Sequence, residues 1–140
     1  MSVQYKKVKT QKGRARKHVT QMTRDEVNYL RELISRVDTI TLCDHAQEAA
    51  ARLNVSEQYI KSVNLQRAQL IEFNTGRGTS RRVVLRDKRA IHINKYQLKN
   101  LVLVLDVDTT EVVTIFLNDI HDHHKSIDLT YYNKDLKIIK

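Results

Sequence analysis

The pattern of apolar positions divides the chain in two. From residue 23 to about residue 68, apolar side chains recur every three to four positions, the period of helices with one buried stripe. From residue 69 to about residue 118 they alternate or run together, as in strands. A first helix is expected over 23–37, with Val27, Leu30, Leu33, Ile34 and Val37 as its stripe. Thr23, followed three residues later by Glu26, has the pattern of a capping box, in which each side chain accepts a backbone N–H that the helix cannot satisfy. Asp25 and Glu26 near its start and Arg36 near its end suit the helix dipole. A second helix is expected over 43–53, packing through Ala46, Ala49, Ala50 and Leu53. A third is expected over 56–67, with Tyr59, Ile60 and Val63 turned inward.

The strand-like half begins with QLIEFN (69–74) and RRVVLR (81–86), joined by TGRGTS, in which Gly76 and Gly78 can take positive φ. Residues 90–93 extend the second of these strands. NLVLVLDV (100–107) is apolar at every position from Leu101 to Leu105, as in a strand covered on both faces. EVVTIFLN (111–118) is its partner across a turn at Asp108-Thr109-Thr110. Beyond it, Ile127, Leu129 and Tyr131 alternate and Leu136, Ile138 and Ile139 follow, which suits an edge strand or a docked segment. The expected fold class is therefore α+β: about three N-terminal helices, then an antiparallel sheet of four to five strands. A single domain over 22–140 is preceded by a basic arm over 1–21, expected to be disordered because it has few large apolar groups and much like charge.

Charge sharpens this division. The chain of 140 residues has a net charge of +9. Residues 1–24 contain Lys6, Lys7, Lys9, Lys12, Arg14, Arg16, Lys17 and Arg24 and no acid. The remainder holds seventeen basic and sixteen acidic residues, so it is almost neutral. Within it, residues 77–95 carry seven cations against Asp87 alone. Two loci thus stand out as polyanion contacts: the arm (Lys6, Lys7, Lys9, Lys12, Arg14, Arg16, Lys17) and the first hairpin with its flanks (Arg77, Arg81, Arg82, Arg86, Lys88, Arg89). The same facts also fit a solubilising tail and the solvated face of a hairpin.

Other classes are excluded or weakly signalled. One cysteine, Cys43, rules out a disulfide framework, and a buried structural role is expected for it. No apolar run approaches the roughly 20 residues of a membrane span, and no apolar stretch follows the basic N-terminus as in a secretory signal. The expected setting is cytoplasmic, without membrane contact. No phosphate loop is present, since no helix follows Gly76-Arg77-Gly78, and no cofactor is expected. His121, His123 and His124, with Asp119 and Asp122, are ligand types for a divalent metal at awkward spacing; a solvated loop or a partner contact fits them as well. The aromatic residues are scattered and show no stacking platform. Ala50, Asn54 and Ile60 have the spacing of a DNA-binding helix-turn-helix. Its second helix would present Ser56, Glu57, Gln58, Lys61 and Ser62, a poorly basic face that a structural helical hairpin explains equally.

The order of His45-Ala46, an alanine-rich helix, the Asn54-Val55-Ser56 turn, a second helix and a meander with an Arg-rich strand resembles the RelE-like superfamily over residues 43–118. The resemblance implies a compact α+β fold and a phage or mobile-element setting. Some family members are ribosome-dependent mRNA endonucleases that use basic, His or Tyr side chains and no metal. Here Arg81, Arg82, Arg86 and His92, with Tyr96 nearby, are the residues available for such roles. No catalytic signature matches residue by residue, so no mechanism is carried over. The function expected is binding of nucleic acid, RNA rather than DNA, or of a host nucleoprotein complex, so as to regulate or inhibit a host nucleic-acid machine. A metal-independent endoribonuclease, a helix-turn-helix regulator and a module that binds a host protein are the alternatives. The sequence leaves the oligomeric state open.

Overall fold

The computed structural model describes residues 15–76, 78–122 and 129–139. It contains helices α1 (Arg24–Ser35), α2 (Asp44–Leu53) and α3 (Glu57–Lys61) and strands β1 (Arg16–His18), β2 (Thr41–Leu42), β3 (Gln69–Asn74), β4 (Arg82–Asn94), β5 (Gln97–Asp106) and β6 (Glu111–Asp119). The strands form one sheet in the order β1-β3-β4-β5-β6-β2. The class is α+β, but the expected sheet is corrected. There are six strands, not four to five, and the sheet is mixed, because β2 runs parallel to β6 while the other pairs are antiparallel. The two additional strands have three and two residues, too few for a periodicity to register.

The capping box at Thr23 forms as the spacing predicts: Glu26 N–H donates to Thr23 Oγ1 (3.2 Å) and Thr23 N–H donates to Glu26 Oε1 (2.9 Å). Helix α2 ends at Asn54, whose φ of 58° lets its N–H return to Ala51 O while Val55 N–H reaches Ala50 O at 2.9 Å. This paired closure satisfies two of the last carbonyls of the helix. Helix α3 is five residues, shorter than the expected 56–67. Its continuation is broken at Asn64, whose Oδ1 accepts from the N–H groups of Gln66 and Arg67 and so holds a turn in place of another helical turn.

The helices cover one face of the sheet. Two apolar rows cross the strands there: Leu70, Leu85, Leu103 and Ile115, and Phe73, Val83, Leu105 and Val112. Leu30, Leu33 and Ile34 of α1, Ala46, Ala49 and Ala50 of α2 and Ile60 of α3 pack on these rows. Leu70 and Phe73 share a face despite a spacing of three because the β3–β4 register shifts between Leu70 and Glu72. The extra residue, Ile71, turns to the opposite face, where it joins Val84 and Val102 in a second, smaller cluster.

The arm expected to stay disordered through residue 21 is also corrected. Strand β1 pairs with β3, aligning Arg16 with Asn74 and His18 with Glu72, and residues Val19–Gln21 form a 3-10 turn. Its cations are held by carboxylates of two other elements, β3 and α1. Arg16 donates to both oxygens of Glu72 (2.9 and 2.7 Å) and to the Tyr132 hydroxyl (2.8 Å), which itself donates to Glu72 (3.0 Å). Burial, with the Glu72 carboxylate beside it, pushes the Tyr132 phenol up to about 12. Lys17, only 5% exposed, donates to both Glu26 oxygens (3.0 and 2.9 Å) and to Leu136 O. Residues 129–139 dock beside this strand and form no strand of their own, while Ile127 lies outside the described residues: Asn133 N–H donates to Arg16 O, and Ile138 is buried in the core.

Burial opposes the Glu26 charge, but the Thr23 N–H and the Lys17 ammonium outweigh it and hold the carboxyl below its ordinary range. A carboxyl lowered on folding adds stability above its unfolded pKa and loses it as pH falls through the folded value. Glu26→Gln, which leaves Lys17 buried without its counter-ion, is expected to cost about 3 kcal/mol at pH 7 in urea unfolding. The gap to the native chain should narrow below about pH 4, and a gap independent of pH would contradict this reading. Thr110, β-branched yet at φ 61°, bears a left-handed strain. Thr110→Gly is expected to raise stability by about 0.5–1 kcal/mol, read from the midpoint of the same titration.

Candidate nucleic-acid interface

Strands β4 and β5 outrun their neighbours. The last β3–β4 pair is Gln69 with Arg86, and the last β5–β6 pair is Lys99 with Asp119. Beyond these, residues 92–94 of β4 pair only with β5, through His92 with Leu98 and Asn94 with Gln97. The result is a two-stranded ribbon that projects about 10 Å at 3.3 Å per residue. His92, Ile93, Asn94, Lys95, Tyr96 and Gln97 are all exposed, Tyr96 to 87%. From residue 88 to residue 105 the chain holds Lys88, Arg89, Lys95 and Lys99 and no acid.

The ribbon is held at its base. The β4–β5 register shifts between Arg86 and Ala90, so β4 carries two more residues than β5 between these pairs. Arg86, 5% exposed, donates from Nε to Asn100 Oδ1 (2.9 Å), from Nη2 to Asp119 O (2.8 Å) and from Nη1 to Asp122 O. Asn100 Nδ2 in turn donates to Arg89 O. Arg89 pairs with the buried Asp87 (2.8 Å), lies over the Tyr59 ring at 4.2 Å and donates to Ser62 Oγ (3.0 Å), tying the ribbon to α3. Burial raises the Tyr59 phenol above its ordinary range.

The cations expected to contact a polyanion therefore divide. Lys17 and Arg86 are buried and engaged within the fold, a correction to their expected surface role. Arg16, Arg81 and Arg89 face carboxylates: Arg16 that of Glu72, Arg89 that of Asp87, and Arg81 that of Asp108 while also donating to the Tyr29 hydroxyl. The hydrogen bond to Arg81 holds the Asp108 carboxyl below its usual range. Lys88 and Lys95 are exposed and make no ion pair among the described residues. Arg82 Nε is buried without a hydrogen-bond partner among the described residues. Its guanidinium lies against the turn so closely that a Cβ at Gly76 would sit 2.7 Å from Nη1. Lys6, Lys7, Lys9, Lys12, Arg14 and Arg77 lie outside the described residues.

The four candidate catalytic residues do not converge. Arg81 faces α1, as its bond to Tyr29 shows, and Arg86 is sequestered. Arg82 and His92 are ten positions apart on one strand, about 30 Å at the rise of a strand. General acid–base work needs its groups within hydrogen-bond reach of a common atom. The helical pair around Asn54 is present, but α3 spans about 7.5 Å, and Ser56, Glu57, Gln58, Lys61 and Ser62 are exposed on it or at its ends. Among the described residues no group of three His, Cys, Asp or Glu side chains is placed to hold a metal; His121 is exposed, and His123 and His124 lie outside them. Cys43, expected to be buried, is only half-buried; it immediately precedes α2 and donates to Val113 O. No helix among the described residues is long and apolar enough to cross a membrane.

Sequence reasoning named Tyr96 only as a neighbour of the candidate catalytic residues and missed the ribbon tip, because nothing local marks this one of six scattered tyrosines as a turn residue left in solvent. Its signal was the absence of acids over residues 88–105. No family model matches the chain, and neither a curated protein nor a solved structure matches it. The resemblance to the RelE-like superfamily accordingly rests on the pattern of residues 43–118 alone.

Arg86→Met leaves Asn100 Oδ1 and two carbonyls without their donor and should cost about 2–4 kcal/mol in chemical unfolding. Lys88→Ala, at an exposed position, should stay within about 0.5 kcal/mol of the native chain. Equal effects of the two substitutions would contradict the assignment of Arg86 as anchor and Lys88 as free cation.

Proposed function

We propose that this chain is a small cytoplasmic protein that binds RNA or a ribonucleoprotein, encoded by a phage or mobile element, and that it regulates or inhibits a host nucleic-acid machine. The observation that carries the binding is the projecting ribbon of β4 and β5, with exposed Lys95 at its tip and exposed Lys88 at its base, neither in an ion pair among the described residues. A cation without an intramolecular acid keeps its full charge for phosphate, and each phosphate it neutralises releases counterions. The cations of residues 1–14 add to the same attraction. RNA is favoured over duplex DNA through the RelE-like resemblance, which also supports the setting and the regulatory role.

Salt dependence tests the reading. With a short single-stranded RNA, the logarithm of the association constant should fall linearly with that of salt concentration. Lys88→Ala/Lys95→Ala should reduce the slope by about 1.4, at about 0.7 per phosphate contact on a single strand. Binding that does not vary with salt, or a slope the double variant leaves unchanged, would remove the ribbon from the interface. Capture of a host protein undiminished by nuclease would favour a protein-interaction role.

A further inference from the structure

We propose that the ribbon tip is a stacking finger: Tyr96 takes an unpaired nucleobase on its ring while Lys95 beside it holds a flanking phosphate, and Lys88, at the ribbon's base roughly 16 Å away, meets the same strand several nucleotides on. The proposal rests on the nucleic-acid reading above and names the part of the polymer that the site recognises.

Four observations converge on Tyr96. The ring is 87% exposed, so its apolar surface contributes almost nothing to the core. The turn beneath it is braced: Asn94 Oδ1 accepts from Tyr96 N–H (2.9 Å), and Asn94 Nδ2 donates to Gln97 Oε1 (3.1 Å). The first bond ties the two-residue Lys95–Tyr96 turn to Asn94 and the second closes the flanking Asn94–Gln97 pair beneath it, so the ring is presented on an ordered support, which limits the entropy lost on binding. The Lys95 ammonium lies 5.8 Å from the ring centroid and Ile93 is 43% exposed, giving the tip a cation and a second apolar surface. Finally, no carboxylate occurs from residue 88 to residue 105 to repel a phosphate.

This combination selects unpaired bases. Stacking on an aromatic ring tolerates any base but needs its π-face free, and inside a duplex both faces are already stacked. The deep, narrow major groove of A-form RNA keeps side chains from the base edges, so the ring gains nothing from an uninterrupted RNA duplex. A single strand, a loop or a bulge offers both free bases and phosphates. The stacking chemistry is shared by RNA and DNA, and only direct comparison separates the two.

The test uses the full chain and four labelled probes: a short single-stranded RNA, the same strand with abasic sites replacing its central nucleotides, the matching RNA duplex, and the single-stranded DNA of the same sequence. Abasic sites keep the phosphates and remove the rings. Native protein should bind the intact strand about tenfold more tightly than the abasic strand or the duplex. Tyr96→Ala should abolish that preference and Tyr96→Phe should keep it, whereas Lys88→Ala/Lys95→Ala should weaken binding to intact and abasic strands alike. Unchanged melting of each variant would show that folding is intact. Equal affinity for intact and abasic strands, or indifference to Tyr96→Ala, would overturn the stacking finger while leaving phosphate binding in place. Failure to bind any probe would overturn the nucleic-acid reading itself. Tighter binding of RNA than of DNA would identify RNA as the source of the base.

Discussion

The pairing of β4 with β5 does two jobs along its length. In its inner half each residue pair sits between two further strands, and Val83 with Leu105 and Leu85 with Leu103 build the apolar rows on which the helices lie. In its outer half the flanking strands stop and the same ladder continues alone. A two-stranded ribbon has little stability of its own in water. It stands here because its base is fixed by Arg86 and Asn100 toward β6 and by Arg89 toward α3. Core and candidate interface therefore share one backbone ladder, and the interface inherits its rigidity from the core.

Buried charge organises the other edge of the sheet. The carboxylate of Glu72 joins β3 to Arg16 of β1 and to Tyr132, and Glu26 joins α1 to Lys17. Such pairs are weak sources of net stability, because desolvation opposes the Coulombic gain, but they strongly penalise arrangements that leave one partner alone. Here they select one position for β1, one for the docked C-terminal residues and one angle of approach for α1. Several of the cations that make the chain look like a polyanion binder are thus structural. The site is correspondingly smaller and more sharply located than the charge count implies: an exposed ring and Lys95 at the ribbon's tip and Lys88 at its base, with the cations of residues 1–14 in addition.

Much of the architecture was legible in the sequence because the relevant forces are local. Thr23 and Glu26 are three residues apart, so their mutual capping can be read directly. The alternation in β4 and the apolar run in β5 are likewise properties of short windows. Helix α3 was overextended because Asn64 competes for backbone donors in a way that helical periodicity does not register. Strands β1 and β2 were missed because their stability comes from partners 56 and 70 positions away, through Glu72 for Arg16 and through Leu42 beside Val112.

For the site the balance is different. Composition alone located a basic locus at residues 77–95 and showed that its carboxylates are few. It could not divide that locus into used and free cations, because a guanidinium is silenced by whichever acceptor the fold brings within about 3 Å. Arg86 meets carbonyls from β6 and the turn after it, Arg81 meets Asp108, and Lys88 meets none of the described carboxylates. Nor could it show that β3 and β6 end before the hairpin does, which is what leaves Tyr96 in solvent. The sequence by itself determined the elements that local hydrogen bonds and periodic burial dictate. Only the tertiary structure decided which charges are neutralised and which strand end projects, since both depend on groups that folding alone brings together.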